Sequence, residues 1–204
     1  MDIIYLQNKV REKLTTQRYI HTLGVASTSF CLALRYGADY NKANIAGLLH
    51  DYAKCMSDDV LLSKCREHNL PILEVEENNP YLLHSKLGAY YAKYELNIED
   101  EDILNAITYH TTGRPNMSLL EKIVFVADYI EPNRSEKRNH NLQRIRKLSF
   151  SDIDLAVIDI LESTLAYLGD DKSKIDTRTL DTYNYYIDNI KNKNRMDGNR
   201  WQIL

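Results

Sequence analysis

The chain has 204 residues, a formal net charge of -3, and only seven Gly and four Pro. That length supports a sizeable core in one domain, and the scarcity of turn formers argues against a sandwich or barrel. The mild acidic balance excludes a general nucleic-acid binder, which carries a basic excess, so no nucleic acid polymer is expected as a partner.

Cys31, Cys55 and Cys65 form no C-x-x-C pair and cannot all be bridged internally, which suits a reducing compartment. No run approaches the roughly 18 apolar residues of a membrane span, and the N-terminus lacks the apolar stretch of a signal peptide. The expectation is a cytoplasmic protein with no membrane partner.

Residues 3–14 predict a short amphipathic helix, with Ile3, Ile4, Leu6, Val10 and Leu14 on one face. Thr15 or Thr16 caps the next helix, which stops at Gly37 and offers Ile20, Leu23, Val25, Phe30, Cys31 and Leu34 inward. Asn41 caps a helix arriving at His50-Asp51, and Ser57-Asp58-Asp59 opens another that closes at Asn69-Leu70-Pro71. The acidic stretch with Glu74, Glu76 and Glu77 reads as a lid or as solvated surface, and solvated surface is the simpler reading. Pro80 begins the helix carrying His84 and Leu87. The next starts near Glu99-Asp100-Glu101 and ends at Tyr109-His110.

Ser118 and Glu121 have capping-box spacing, and the helix they open (KIVFVADYI) is apolar nearly all round, hence central. A basic segment follows (Arg134, Lys137, Arg138, Arg144, Arg146, Lys147). Ser151 caps a long helix through Leu168, and a last helix runs from about Thr179 to Lys193. The fold class is all-α, with a helical domain over 1–194 and a polar tail over 195–204 that holds the lone Trp201. Tyr183, Tyr185 and Tyr186 fit a core, a homodimer contact or a base-stacking surface equally well.

The chemistry centres on His50-Asp51. Six His and seventeen Asp give about half a His-Asp pair by chance, and alone this one reads as a backbone-bonded His beside an Asp paired with Lys54. Adjacent helical residues diverge by about 100°, so both reach one ion only near a helix end. His21, His84, His110 and Asp128 add weight, because each lies in or at the end of a predicted helix among apolar residues. Several such groups on core-facing positions call for a shared partner, and a metal satisfies all of them at once. Asp128, flanked by Val124, Phe125, Val126 and Ala127, has the weakest alternative explanation. His110 precedes Thr111-Thr112-Gly113-Arg114, which resembles a metal beside an anion pocket. His68 and His140 lie in charged surroundings and read as solvated.

The order His21, His50-Asp51, Asp128 resembles the metal-binding pattern of HD-domain phosphohydrolases, and His84 and His110 resemble the insertions of its two-metal subset. More narrowly, RYIHTLGVA, GLLHDYAK, LLHSKLGA, ITYHTTGRPNMS and IVFVADYIEPNR are similar to the bacterial YqeK family of symmetrical diadenosine tetraphosphate hydrolases, over residues 8 to 190. The resemblance implies an HD-domain helical bundle in which a metal-bound water splits diadenosine tetraphosphate, a small-molecule nucleotide, into two ADP. It also implies two divalent ions: His21, His50, Asp51 and Asp128 on one, and His84, His110 and a bridging Asp51 on the other. Family precedent favours iron, while the mixed donors also suit manganese or zinc. Lys54, Arg114 and Arg134 would meet phosphates, with ordinary surface charge an equal reading for Arg134. Thr111, Thr112 and Gly113 would add hydroxyl or backbone donors. Two alternatives stay open: the same site on another nucleotide or phosphate ester, or a metal-containing nucleotide sensor without turnover.

Overall fold

A computed structural model describes residues 2–136, 141–169 and 175–196, with side chains described to residue 192. Lys137, Arg138, His140 and Trp201 lie outside the described residues. The described residues are helical and contain no strand. In chain order the helices are α1 (Ile3–Lys13), α2 (Thr16–Tyr36), α3 (Tyr40–Leu49), α4 (Asp58–Glu67) and α5 (Glu74–Asn78). A 3-10 turn (Pro80–Leu83) leads into α6 (His84–Tyr94), followed by α7 (Glu101–Tyr109), α8 (Leu119–Ile130), α9 (Leu142–Ser149), α10 (Ile153–Leu168) and α11 (Thr177–Met196). The last helix thus runs past Lys193. Among the described residues no helix is long and apolar enough to cross a membrane.

Helix α8 packs against α2, α3, α7, α9 and α10, and it buries Ile123, Val124, Phe125, Val126, Ala127 and Ile130. Its apolar surround makes it the central rod. The Ser118–Glu121 capping box is formed: Ser118 Oγ accepts from Glu121 N at 3.2 Å, and Glu121 accepts from Ser118 N at 2.6 Å. Two other caps shift by a residue or two. Asp39, not Asn41, accepts from the first amides of α3, and Asp152, not Ser151, does so for α10. In both places the carboxylate sits where its backbone is extended, the conformation an N-cap needs.

Helix α2 buries Val25 and half-buries Leu23 and Phe30 as hydrophobicity predicts, but turns the rest of the expected face outward. Ile20 (49% exposed) and Leu34 (57%) face out, as does Cys31. The buried face is His21, Thr22, Val25, Ala26, Thr28, Ser29, Leu32 and Ala33. The reason is the close approach of α3. A Cβ at Gly47 would stand 2.8 Å from Ser29 Oγ and 2.9 Å from Ala26 Cα. Only small side chains fit that seam, so its residues are small rather than greasy. Ile4, at 64% exposure, likewise leaves the α1 core face to Leu6, Val10 and Leu14.

The acidic stretch is not merely solvated. Glu76 is fully buried, and its carboxylate accepts from Lys86 Nζ and Arg178 Nη2, both at 2.6 Å, and from Leu73 N at 2.8 Å. Arg178 also pairs with Asp176 at 2.6 Å, so α5, α6 and α11 are tied together by one charge network. Of the late tyrosines, Tyr186 is core, at 5% exposure, whereas Tyr183 and Tyr185 bond to Glu162 and Asn116 at the surface.

Two outcomes follow from this packing. Gly47→Ala should force α2 and α3 apart and cost about 1–3 kcal/mol, read as a lower denaturation midpoint. Glu76→Ala should cost about 3–5 kcal/mol, because Lys86 would lose its buried partner and Arg178 one of its two. Arg178→Ala should also destabilise, because the buried Asp176 would lose its partner while Glu76 keeps Lys86.

Candidate metal centre

Five elements deliver the six expected residues to one place. His21 comes from the second turn of α2, and His50 is the C-cap of α3 with Asp51 in the turn beyond it. His84 opens α6, His110 caps α7, and Asp128 lies in the last turn of α8. The four imidazoles form a chain with ring centroids 5.4 Å (His21–His50), 4.9 Å (His50–His110) and 5.0 Å (His84–His110) apart. The end of α3 resolves the geometric difficulty of adjacent ligands: leaving the helix lets Asp51 swing beside His50.

Asp51 divides the cluster. Its Oδ2 lies 3.3 Å from His50 Nε2 and 3.8 Å from His21 Nε2. Its Oδ1 lies 3.3 Å from His84 Nε2 and 3.8 Å from His110 Nε2. Asp128 Oδ1 lies 3.0 Å from His21 Nε2 and 3.8 Å from His50 Nε2. Three overlapping sets of donors are close enough to share an ion: His21, His50 and Asp51; His50, His110 and Asp128; Asp51, His84 and His110. Asp128 is less enclosed than its apolar neighbours suggest, with a quarter of its side chain (24%) open.

The tautomers follow from the partners. His50 Nδ1 donates to Gly47 O at 2.7 Å, His110 Nδ1 to Ile107 O at 2.7 Å, and His84 Nδ1 to Tyr81 O at 2.5 Å. A carbonyl only accepts, so each Nδ1 carries the proton and each neutral Nε2 presents a lone pair inward. His84 Nε2 and His110 Nε2 then face each other at 3.1 Å. Two lone pairs at that distance repel unless a cation lies between them. Nε2 of His21 and of His50 is buried and lacks a hydrogen bond of proper geometry. Orphaned buried acceptors, carboxylates and open lone pairs together fit a divalent metal site.

Protonation equilibria point the same way. Burial, with His50 and His84 close by, pushes the His110 pKa down to about 3, and burial likewise lowers that of His84. For His21 burial also opposes charge, but the Asp128 and Glu131 carboxylates outweigh it and raise the pKa. Burial would raise the Asp51 pKa, but the surrounding imidazoles of His50 and His84 outweigh it and hold it well below the ordinary value. Asp128 is likewise held down against burial, by Arg134 and then His21.

Cations rim the cluster. Arg134 Nη2 bonds Asp128 Oδ1 at 2.5 Å while its Nε caps Asp128 O at 2.8 Å. Lys54 Nζ lies 3.4 Å from His84 Nδ1, and burial lowers its pKa. Arg18, absent from the expected set, reaches Asp51 Oδ2 at 2.9 Å. Its signal in the sequence is position: three residues before His21, on the same face of α2.

The segment after His110 divides its roles. Thr111 Oγ1 lies 3.2 Å from His110 Nε2, at the cluster. Thr112 Oγ1 donates to Gly113 O, and Gly113 turns with φ of 65° against Thr182. Arg114 points elsewhere: Nη2 pairs with buried Glu121 at 2.7 Å, and the guanidinium covers the Tyr109 ring at 4.4 Å. The second residue missing from the expected set is Glu131, nearly fully buried, whose Oε1 accepts from His21 Nδ1 at 3.0 Å.

The HD domain family matches residues 18–133, which include all six clustered residues. The chain is 42% identical over 178 residues to a symmetrical bis(5'-nucleosyl)-tetraphosphatase of Bacillus subtilis, covering 87% of this chain and 94% of the relative. It is 45% identical over 178 residues to the protein of the same name in Halalkalibacterium halodurans, covering 87% and 93%. A crystal structure from Clostridium acetobutylicum, of a predicted HD superfamily hydrolase involved in NAD metabolism, superposes with a TM-score of 0.87 at 38% identity, covering 93% of this chain and 98% of that one. The metal-ready cluster and these relatives lead to one conclusion: the chain belongs to the HD domain family, among the symmetrical bis(5'-nucleosyl)-tetraphosphatases.

Proposed function

We propose that this protein hydrolyses diadenosine tetraphosphate symmetrically, releasing two ADP, with two divalent cations held by His21, His50, Asp51, His84, His110 and Asp128. The observation that supports the reading is the divided Asp51 carboxylate, one oxygen toward His50 and His21, the other toward His84 and His110. A bridging carboxylate between two imidazole groups suits two ions better than one. Iron is the metal we propose, consistent with mixed nitrogen and oxygen donors, with manganese as the laboratory substitute.

When bound, the cations supply Lewis acidity, making water a nucleophile near neutral pH and neutralising charge on the attacked phosphate. The chain's own residues do the rest. Arg18, Lys54 and Arg134 surround the carboxylates with positive charge, which draws a tetraphosphate to the cluster. The forked guanidiniums of Arg18 and Arg134 suit phosphate oxygens, and Lys54 acts as a point charge. Thr111 offers a hydroxyl beside His110. Arg114 is engaged with Glu121 and Tyr109, and Thr112 and Gly113 would contribute backbone donors. In the reaction a water oxygen bonds to an inner phosphorus, the central P–O–P bridge breaks, and ADP leaves with the bridging oxygen.

Purified protein given iron(II) or manganese anaerobically with diadenosine tetraphosphate should yield ADP alone, resolved by ion-exchange chromatography. AMP plus ATP would overturn symmetrical cleavage. No turnover with metal bound would favour another phosphate ester or a nucleotide sensor. Asp51→Ala should lose both metal and turnover while circular dichroism keeps its helical signal. Lys54→Met should retain metal but lower kcat by about 100-fold or more, if the ammonium meets charge developing on phosphate.

A further inference from the structure

Three of the four clustered histidines solve the same problem in the same way. His50, His84 and His110 sit at helix ends and donate Nδ1–H to the carbonyl three residues earlier, of Gly47, Tyr81 and Ile107. Gly47 and Ile107 lie in the last turns of α3 and α7, and Tyr81 lies in the 3-10 turn that leads into α6. His21 has no such option. It lies inside the 21-residue α2, where the preceding carbonyls are taken by the helix ladder. Its partner must come from another element.

That partner is Glu131, and the fold makes room for it. The residue follows α8 immediately, one turn beyond Asp128, and is 1% exposed. Oε2 accepts from Asn133 N at 2.7 Å and from Asn133 Nδ2 at 3.0 Å, which leaves Oε1 for His21 Nδ1 at 3.0 Å. Arg146 fixes the backbone beneath it, donating to Ile130 O at 2.9 Å and Glu131 O at 2.8 Å. Opposite, α2 carries Gly24 one turn after His21. A Cβ there would stand 2.4 Å from Glu131 Oε2 and 3.2 Å from Asn133 Nδ2. A glycine inside a long helix is unfavourable, and here it opens the space the carboxylate occupies.

We infer that Glu131 is a positioning residue, which fixes the His21 ring and gives this one histidine an anionic partner where the others have neutral carbonyls. An anionic partner makes an imidazole a stronger donor to metal. The two metal positions are therefore unequal, and the one His21 serves depends on Glu131 for its affinity. The inference rests on the two-metal reading proposed above.

Anaerobic titration of metal-stripped wild type and variants with manganese(II), followed by electron paramagnetic resonance, separates the two ideas. Wild type should take up two equivalents; uptake of none would overturn the two-metal reading itself. Glu131→Gln keeps an acceptor for Nδ1 but loses the charge, and should weaken one equivalent about 10-fold while leaving the other unchanged. Glu131→Ala should weaken the same equivalent about 100-fold. Gly24→Ala, which gives α2 a better helix former, should mimic Glu131→Ala by crowding the carboxylate. Should Glu131→Ala fail to fold, the isosteric Gln variant decides. Wild-type titration curves in the Gln and Gly24 variants, or equal weakening of both equivalents, would overturn the inference.

Discussion

One carboxylate organises this structure. Asp51 stands where α3 ends, beneath four imidazole Nε2 atoms from four helices, and it is 3% exposed. A charge that deep is tolerated only when paired or hydrogen-bonded on every side. The packing of α2, α6 and α7 around the end of α3 can be understood as a response to that demand. The small-residue seam between α2 and α3, with Gly47 against Ala26 and Ser29, lets His21 approach. Core packing and site geometry are consequently one problem in this fold.

The clustered histidines and aspartates were legible in the sequence because they broke its pattern. A histidine or aspartate among Leu, Ala and Val has few inexpensive explanations, and each of the six proved to be brought together in space. The capping box at Ser118, the stop at Gly37 and the centrality of α8 were legible for similar local reasons. The face of α2 was legible only in part, at Val25, Leu23 and Phe30. Hydrophobicity favoured Ile20, Cys31 and Leu34, whereas the buried face was chosen by how closely α3 approaches, which depends on Gly47, distant in sequence.

The rim of the site was harder for a related reason. Arg18, Lys54, Arg114 and Arg134 are all partly exposed cations, and nothing in a sequence distinguishes a cation beside a carboxylate cluster from one beside solvent. Arg114 was drawn in by its neighbour His110, yet Glu121, whose capping role at Ser118 was visible, also holds that guanidinium. Glu131 was hidden because a glutamate before a proline reads as a helix end. Glu76 was hidden because an acidic stretch reads as solvated, and its partners Lys86 and Arg178 come from elements far along the chain.

The distribution of charge also bears on how such a site persists without its ions. Burying Asp51 and Asp128 unpaired would cost several kcal/mol for each charge. Arg18 and Arg134 offset that cost, at 2.9 Å and 2.5 Å, and both arginines remain about one-third exposed. They are therefore held by the carboxylates but not enclosed, with one edge free to turn outward. Ions entering between the imidazoles would take over the neutralisation of Asp51 and Asp128, and the guanidiniums would become available to an anion. On this argument metal loading is an exchange of cations rather than the filling of a strained void. The same exchange would couple the metal state of the cluster to its affinity for polyphosphate, through the two arginines that serve one partner at a time.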